Sequence, residues 1–155
     1  RPHDGPDPMI TLRIETRVRA TQQATFDAFA DHEALSDVPG LTCVLEEVGS
    51  PDRNGLGALR RVGGPGVAAR ERITSFDRPH SYTYKVEGGV PLKHDGGRLE
   101  FHADGDHTRV VWTTTVGSGL PAIGSLVDRA IVGPFLTRAL GQLARSAKRR
   151  AERGS

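Results

Sequence analysis

The chain has 155 residues, of which 36% are hydrophobic and 26% charged, and its formal net charge is +2. This length and composition suit one globular domain and exclude a collagen-like or wholly disordered chain. The single cysteine, Cys43, excludes an intramolecular disulfide and a cysteine-cluster zinc site, which fits either a reducing compartment such as the cytoplasm or a protein that needs no disulfide. No apolar run reaches the roughly 18 residues of a membrane-spanning helix. Five Phe, two Tyr and one Trp, without a recognisable motif, argue against nucleic-acid binding.

The two ends of the chain are poor in apolar residues. Residues 1–8 contain three prolines and no apolar run, which predicts a flexible tail or a cloning remnant rather than a secretory signal. We therefore expect a single domain over 9–152 and a short tail over 153–155.

The order of elements can be predicted from apolar periodicity and turn signals. Strict alternation over Ile10–Val18 predicts a strand with one buried face. Thr21 is placed to cap a following helix, and a second helical turn over Glu33–Ser36 must end before Pro39-Gly40. Turns rich in glycine and proline then separate six further strand segments: Leu41–Val48, Leu56–Val62, Val67–Phe76, Ser81–Val86, Leu99–Ala103 and Thr108–Val116. Such short links join antiparallel neighbours.

A long amphipathic helix is predicted from Leu120 to about Glu152. Its apolar spacing breaks at Gly133-Pro134, where a proline inside a helix removes a hydrogen bond and bends the axis. The whole order predicts an α+β fold, a curved seven-stranded antiparallel sheet that grips the C-terminal helix, with two short helices after the first strand. A small curled sheet with one helix seldom fills its own interior, so we expect an internal hydrophobic cavity between them.

Strand parity predicts which polar side chains face that cavity. Closing the hairpin at Asp77–His80 pairs Ser75 with Tyr82 on one face of the sheet. Ile73 shares that face, which indicates that the face points inward. The inward polar and aromatic set is then Arg60, Glu71, Ser75, Tyr82, Tyr84, Trp112 and Thr114.

An inward Arg60 and Glu71 would have to pair, because an isolated buried charge is costly. They form either a structural ion pair at the sheet rim or the polar end of a pocket. In the pocket, Arg60 would polarise a ligand carbonyl and Glu71 would act as a base. A register slip of one residue would turn Arg61 with Arg70 or Arg72 to that face instead.

A histidine near the cavity mouth is a second candidate for acid/base chemistry. His94 lies in a glycine-rich loop predicted over 88–97, where it can act as an acid or base or can simply be solvated. The other histidines lack the spacing of a metal site, and we predict neither a metal nor an organic cofactor.

Aromatic and aliphatic side chains complete the candidate ligand site. Tyr82, Tyr84 and Trp112 are either core aromatics or a stacking surface for an aromatic ligand. The bent helix is expected to border the entrance and to contact the ligand through Val127 and Ile131.

Six segments carry a family resemblance: Ala20-Thr-Gln-Gln-Ala-Thr-Phe-Asp-Ala-Phe29, Pro39-Gly-Leu-Thr42, Glu71-Arg-Ile-Thr-Ser-Phe-Asp-Arg-Pro79, Tyr82-Thr-Tyr84, Gly105-Asp-His-Thr-Arg-Val-Val-Trp-Thr113 and Leu126-Val-Asp-Arg-Ala-Ile-Val-Gly-Pro-Phe135. With them, the chain from Ile10 to about Glu152 resembles the START/SRPBCC superfamily, and within it the bacterial polyketide cyclase/dehydrase-like branch. The resemblance implies a helix-grip fold, a scaffold that hosts carriers, sensors and enzymes. Many relatives carry a tryptophan before the proline of Ser36-Asp-Val-Pro39, and its absence here means that ligand contacts at that point are not carried over.

The expected function is binding of a small hydrophobic or amphipathic ligand, such as a lipid, an isoprenoid or a polyketide-like compound, in the internal cavity. One alternative is a polyketide cyclase or dehydratase that uses Glu71 and His94 as acid/base residues in the same cavity. Another is a protein-interaction module at the basic helix end, where six Arg or Lys residues stand against one acid over 138–155. A homodimer is the alternative to a monomer.

Overall fold

The computed structural model describes residues 9–120 and 122–154, and its elements follow the predicted order. The strands are β1 (Ile10–Val18), β2 (Thr42–Glu47), β3 (Leu59–Gly64), β4 (Val67–Asp77), β5 (Ser81–Gly88), β6 (Lys93–Asp104) and β7 (His107–Gly117). The helical elements are α1 (Gln22–Ala30), a 3-10 helix (His32–Asp37), α2 (Gly124–Val127), a π segment (Asp128–Val132) and α3 (Gly133–Arg153). The seven strands form one antiparallel sheet in the order β1-β7-β6-β5-β4-β3-β2, which confirms the predicted fold class. The predicted tail over 1–8 lies outside the described residues.

Helix α1 closes one end of the concave face. It begins after Thr21, whose Oγ1 accepts a hydrogen bond from Ala24 N at 3.1 Å, as the capping prediction required. Phe26 and Phe29 on α1 are buried against the sheet, and the ring centroid of Phe26 lies 5.0 Å from that of Phe101 in an edge-on arrangement. Aromatic edge-on packing of this kind adds to the gain from apolar burial, so this end of the inner face is tightly filled.

Arg150 fixes α3 to the helices at the same end. Its Nη2 donates to Ala28 O at 3.1 Å, and its Nη1 donates to Ala34 O at 3.3 Å and to Ser146 Oγ at 2.8 Å. Arg150 is one of the six basic residues over 138–155. Its side chain is therefore part of the packing between helices.

The loop predicted over 88–97 is much shorter in the structure, because β5 extends to Gly88 and β6 begins at Lys93. His94 therefore lies on a strand, opposite Val116 of β7. The segment around His94 has no apolar alternation of its own. Pairing with the β-branched residues of β7 makes it a strand.

A bulge at Thr74 changes the predicted register of β4 against β5. Ser75 pairs with Thr83 and not with Tyr82, because one extra residue is inserted in β4. Ser75 therefore points to the outer face, where it is exposed and its Oγ lies 2.6 Å from Thr83 Oγ1. The inward position predicted for Ser75 is wrong.

The C-terminal helix widens where the sequence predicts a bend. The five residues of the π segment precede Gly133-Pro134, and the Gly133 N–H bonds to the Asp128 carbonyl five residues back. Pro134 has no N–H to donate to the preceding turn, and its ring would clash with the carbonyl there. The helix therefore opens into a wider turn and continues as α3 to Arg153. Within 9–120 and 122–154, no helix is both long and apolar enough to cross a bilayer.

Candidate functional site

Arg60 and Glu71 form a buried ion pair on the inner face of the sheet. They are direct partners on β3 and β4. Arg60 is 3% exposed, and its Nε and Nη2 each lie 2.8 Å from Glu71 Oε1. Arg61 and Arg70 are exposed, so the predicted inward face is confirmed and the alternative register is wrong.

His32, on the 3-10 helix, is a third member of this cluster that the sequence analysis missed. Its Nδ1 accepts a hydrogen bond from Arg60 Nη1 at 2.9 Å, and its Nε2 donates to Asn54 O at 2.8 Å. Burial and the Arg60 charge lower the pKa of His32 to about 3, so the ring is neutral at pH 7. Because 28 residues separate His32 from Arg60, no spacing in the sequence identifies this contact.

Two predicted inward aromatics, Tyr84 and Trp112, lie beside the cluster and are buried. Trp112 Nε1 donates to Tyr84 Oη at 3.0 Å, and Arg60 Cζ lies 5.0 Å from the centroid of the Tyr84 ring. A guanidinium at this distance is attracted to the ring face. Burial raises the pKa of Tyr84 well above its usual range, so the hydroxyl stays protonated. Tyr84 therefore keeps a neutral hydroxyl, which accepts the Trp112 hydrogen bond inside the fold.

Tyr82 is also buried, as predicted, but its hydroxyl is used within the fold. Tyr82 Oη donates to Phe29 O at 3.1 Å, which ties the sheet to α1. Burial raises the pKa of Tyr82 to about 12. This geometry assigns Tyr82 to the filled end of the inner face.

His94 lies on the inner face near Thr114 and is half-buried. Its Nδ1 accepts from Gly96 N at 2.8 Å, so the proton of the neutral ring is on Nε2, which lies 3.5 Å from Thr114 Oγ1. The Thr114 hydroxyl donates in turn to Gly96 O at 2.9 Å. Burial lowers the pKa of His94, although Glu71 and Asp95 act in the opposite direction, and the imidazole is neutral at pH 7.

The inner face of the sheet is covered unevenly. The α1 end is filled, whereas Val62 near the β3–β4 turn and Val86 near the β5–β6 turn remain partly exposed, as does Leu140 on α3. Glu71 pairs with Val86, and its side chain is 13% exposed. The cluster of Arg60, Glu71 and His32 therefore lies at the border between a filled part and an open part of the inner face.

The two helix residues predicted to contact a ligand, Val127 and Ile131, differ in their exposure to solvent. Val127 is partly buried, but Ile131 is 63% exposed and points to solvent. Val132 is buried in its place, because the π segment changes which residues of the helix face the sheet. Ile131, predicted as a ligand contact, therefore does not line the inner face.

The described residues also form depressions on the surface. One of about 440 Å³ lies on the outer face beside Thr74 and Thr113, and one of about 310 Å³ lies beside Arg145 and Arg149. Neither is lined by the cluster of Arg60, Glu71 and His32, so the predicted enclosed cavity remains a prediction. No group of three His, Cys, Asp or Glu side chains within 9–120 and 122–154 is placed to hold a metal ion.

Comparison with solved structures finds the same fold in other proteins. The protein TTHA0849 from Thermus thermophilus aligns with a TM-score of 0.76 at 19% identity, covering 94% of this chain and 99% of that one. The Zhui aromatase/cyclase from Streptomyces sp. R1128 aligns with a TM-score of 0.71 at 18% identity, covering 94% and 95%. A START superfamily protein from Mycobacterium smegmatis gives 0.70 at 17%, covering 95% and 99%. Comparison with curated proteins gives no match.

A family model extends the comparison from fold to sequence. The model described as "Polyketide cyclase / dehydrase and lipid transport" matches residues 9–152, nearly the whole chain. The match confirms the resemblance that the sequence motifs indicate. The chain is a member of the polyketide cyclase/dehydrase and lipid transport family.

Proposed function

We propose that the chain binds a small hydrophobic or amphipathic molecule of lipid, isoprenoid or polyketide type between α3 and the open part of the inner face. The observation that carries this proposal is the aliphatic surface, with Val62 and Val86, that ends at the buried Arg60–Glu71 pair. Covering partly exposed aliphatic side chains is favourable by about 25 cal/mol per Å² of apolar area. A ligand with an apolar body would therefore gain most of its affinity here.

The buried cluster favours a ligand that also carries an oxygen group. Two donor nitrogens of Arg60 bond to Glu71, and a third bonds to His32. These bonds hold the Glu71 carboxylate in one position. Because that carboxylate reaches the open part of the inner face, a hydroxyl or enol group of the ligand can donate to it. A hydrogen bond to a charged group is worth about 1.5 to 3 kcal/mol, enough to orient an amphipathic molecule with its polar end inward.

The proposal is tested by native mass spectrometry of the freshly expressed chain, followed by extraction and identification of any bound molecule. Val86→Trp places a large ring in the open part of the inner face, and Val44→Trp places the same ring at an exposed site on β2. We expect a stoichiometric apolar ligand in the wild type and in Val44→Trp, and its loss in Val86→Trp. Equal occupancy in the two variants, or an empty wild type that no lipid or polyketide stabilises, would contradict the proposal.

A second candidate function is dehydration of a bound β-hydroxy ketone, favoured by the position of Glu71 and His94 on the same inner face. Glu71 would accept the proton from the carbon next to the carbonyl. Glu71 would then pass this proton to the departing hydroxyl, which accepts a hydrogen bond from the Nε2–H of the neutral His94 and leaves as water while the carbon–carbon double bond forms. The family description and the aromatase/cyclase with the same fold support this reaction class. Turnover that survives both Glu71→Gln and His94→Gln would exclude it, with the outer-face Ser75→Ala as a control.

The environment of Cys43 explains how a free thiol is tolerated in the core. Cys43 is buried and free, and burial raises the pKa of its thiol to about 11, which makes it unreactive. A cytoplasmic location and a homodimer remain predictions from the sequence.

A further inference from the structure

Large apolar side chains lie exposed along one stretch of the C-terminal helix and the residues before it. Between 44% and 71% of each is exposed: Leu120, Ile123, Leu126, Ile131 and Phe135. Single exposed apolar residues are common on any protein, but a contiguous group marks a contact surface. We refer to these five residues as the apolar patch.

The π segment brings the helical members of the patch to one face. Ile123, Leu126, Ile131 and Phe135 follow steps of three, five and four residues. In an uninterrupted α-helix, a step of five residues turns the side chain by about 140° away from its neighbour. The five-residue step from Leu126 to Ile131 spans the π segment, whose hydrogen bonds join residues five apart. The wider turn therefore keeps Ile131 beside Leu126 on the exposed side.

The charged residues around the patch are of one sign. Between 118 and 151 the only acid is Asp128, which is fully buried and accepts a hydrogen bond from Ser118 N at 2.6 Å. Arg129 and Arg138 are exposed near the patch. From Phe135 the same exposed face of α3 continues, in steps of three and four residues, through Arg138, Gln142, Arg145 and Arg149. The exposed side of the helix thus combines an apolar part with a cationic part.

The patch lies at the open end of the sheet. A Cβ atom added at Gly133 would lie 3.1 Å from Ile10 at the start of β1, and one added at Gly119 would lie 3.3 Å from Lys93 at the start of β6. The starts of β1 and β6 lie at the same end of the strands as the β3–β4 and β5–β6 turns. This end is next to the partly exposed part of the inner face.

We propose that the apolar patch and the arginines beside it dock on an anionic lipid bilayer. The apolar side chains would enter the boundary between headgroups and acyl chains, and Arg129 and Arg138 would contact lipid phosphates. A second copy of the chain fits this surface less well, because a two-fold contact would bring the cationic residues of both copies together. The inference goes beyond ligand binding and holds whether or not the inner face carries a ligand.

The test is flotation of the full chain with vesicles of phosphatidylcholine mixed with phosphatidylglycerol, and with phosphatidylcholine alone. We expect binding to the anionic vesicles that weakens as salt rises toward ~0.15 M. Phe135→Ser should lower the partition coefficient about tenfold, and Arg138→Gln about fivefold. The matched control is Val48→Ser, because Val48 is 63% exposed at the opposite end of the sheet and should not contact lipid.

Three results would overturn the proposal. The wild type could fail to float with anionic vesicles at low salt, or Val48→Ser could weaken binding as much as Phe135→Ser. The third result is a dimer in sedimentation that does not bind vesicles and that dissociates in Phe135→Ser. It would show that the patch is an interface between two copies of the chain. Thermal unfolding confirms that each variant is folded, and Ile131→Ser provides a second variant of the patch.

Discussion

Arg60 and Glu71 stand directly opposite each other on β3 and β4, with two guanidinium nitrogens 2.8 Å from a single carboxylate oxygen. Arg60 is buried, and His32 and Tyr84 occupy the space around its guanidinium. A buried pair gains little net stability over apolar residues of the same size, but loss of one partner is expensive. The pair therefore restricts what can replace it and supplies a charged feature of the inner face next to the open part.

Removal of the Glu71 charge should destabilise the fold strongly. Glu71→Gln leaves the buried Arg60 charge without its partner, and we expect the free energy of unfolding to fall by about 3 kcal/mol. The control is Glu46→Gln, which removes the partner of the exposed Arg70 and should cost less than about 1 kcal/mol. Urea unfolding followed by circular dichroism measures both. Equal losses of unfolding free energy in the two variants would show that burial of Arg60 does not make the loss of its partner more destabilising.

The buried His32 should make stability depend on pH. Its pKa in the folded chain, about 3, lies below the ordinary value of 6.5, so the unfolded chain binds more protons between these values. The resulting stability is fully present above about pH 6.5 and is lost as the pH falls toward 3. We expect the unfolding free energy of His32→Gln to fall less steeply than that of the wild type over this range. Parallel curves would contradict a neutral, buried His32.

Gly97 should tolerate no side chain, because Tyr84 occupies the space beside it. A Cβ atom on Gly97 would lie 2.4 Å from Tyr84 Oη. Gly97→Ala therefore has to displace the Tyr84 ring, and we expect a loss of about 1 to 3 kcal/mol in unfolding free energy. The control is Gly64→Ala, whose Cβ would meet only Gly40 O at 3.4 Å. Similar unfolding midpoints for the two variants would show that the Tyr84 ring is not held in place.

Two adjacent arginines on α3 should behave differently. Arg150 donates to Ala28 O and Ala34 O, whereas Arg149 is exposed. We expect Arg150→Ala to lower the unfolding free energy by about 1.5 to 3 kcal/mol and Arg149→Ala to change it by less than about 0.5 kcal/mol. Thermal unfolding of the two variants side by side is sufficient. An Arg150→Ala variant as stable as Arg149→Ala would show that these bonds do not hold the helices together.

Much of the fold could be predicted because local patterns and tertiary packing agree. The alternation over Ile10–Val18 and the cap at Thr21 each depend on residues close in sequence, and both predictions are confirmed. Strand β6 was predicted too short, because the residues around His94 form a strand only through their pairing with β7. Local patterns contain no information on such a partner.

The candidate site could be predicted only where strand parity holds without interruption. Arg60 and Glu71 follow regular alternation from the β3–β4 turn, and both lie on the inner face as predicted. Ser75 follows the bulge at Thr74, and Ile131 lies in the π segment, so both point outward. One inserted residue in a strand or one widened helical turn reverses a prediction made from period alone.

The central claim, that a ligand binds between α3 and the open part of the inner face, can be tested by methyl NMR of the chain with the molecule extracted from it. We predict that addition of this molecule to ligand-free protein shifts the methyl signals of Val62, Val86 and Leu140. The exposed Val44 and Leu56 serve as internal references whose signals should stay in place. Shifts confined to Val44, Leu56 or other surface methyls, with the inner-face signals unchanged, would contradict the claim.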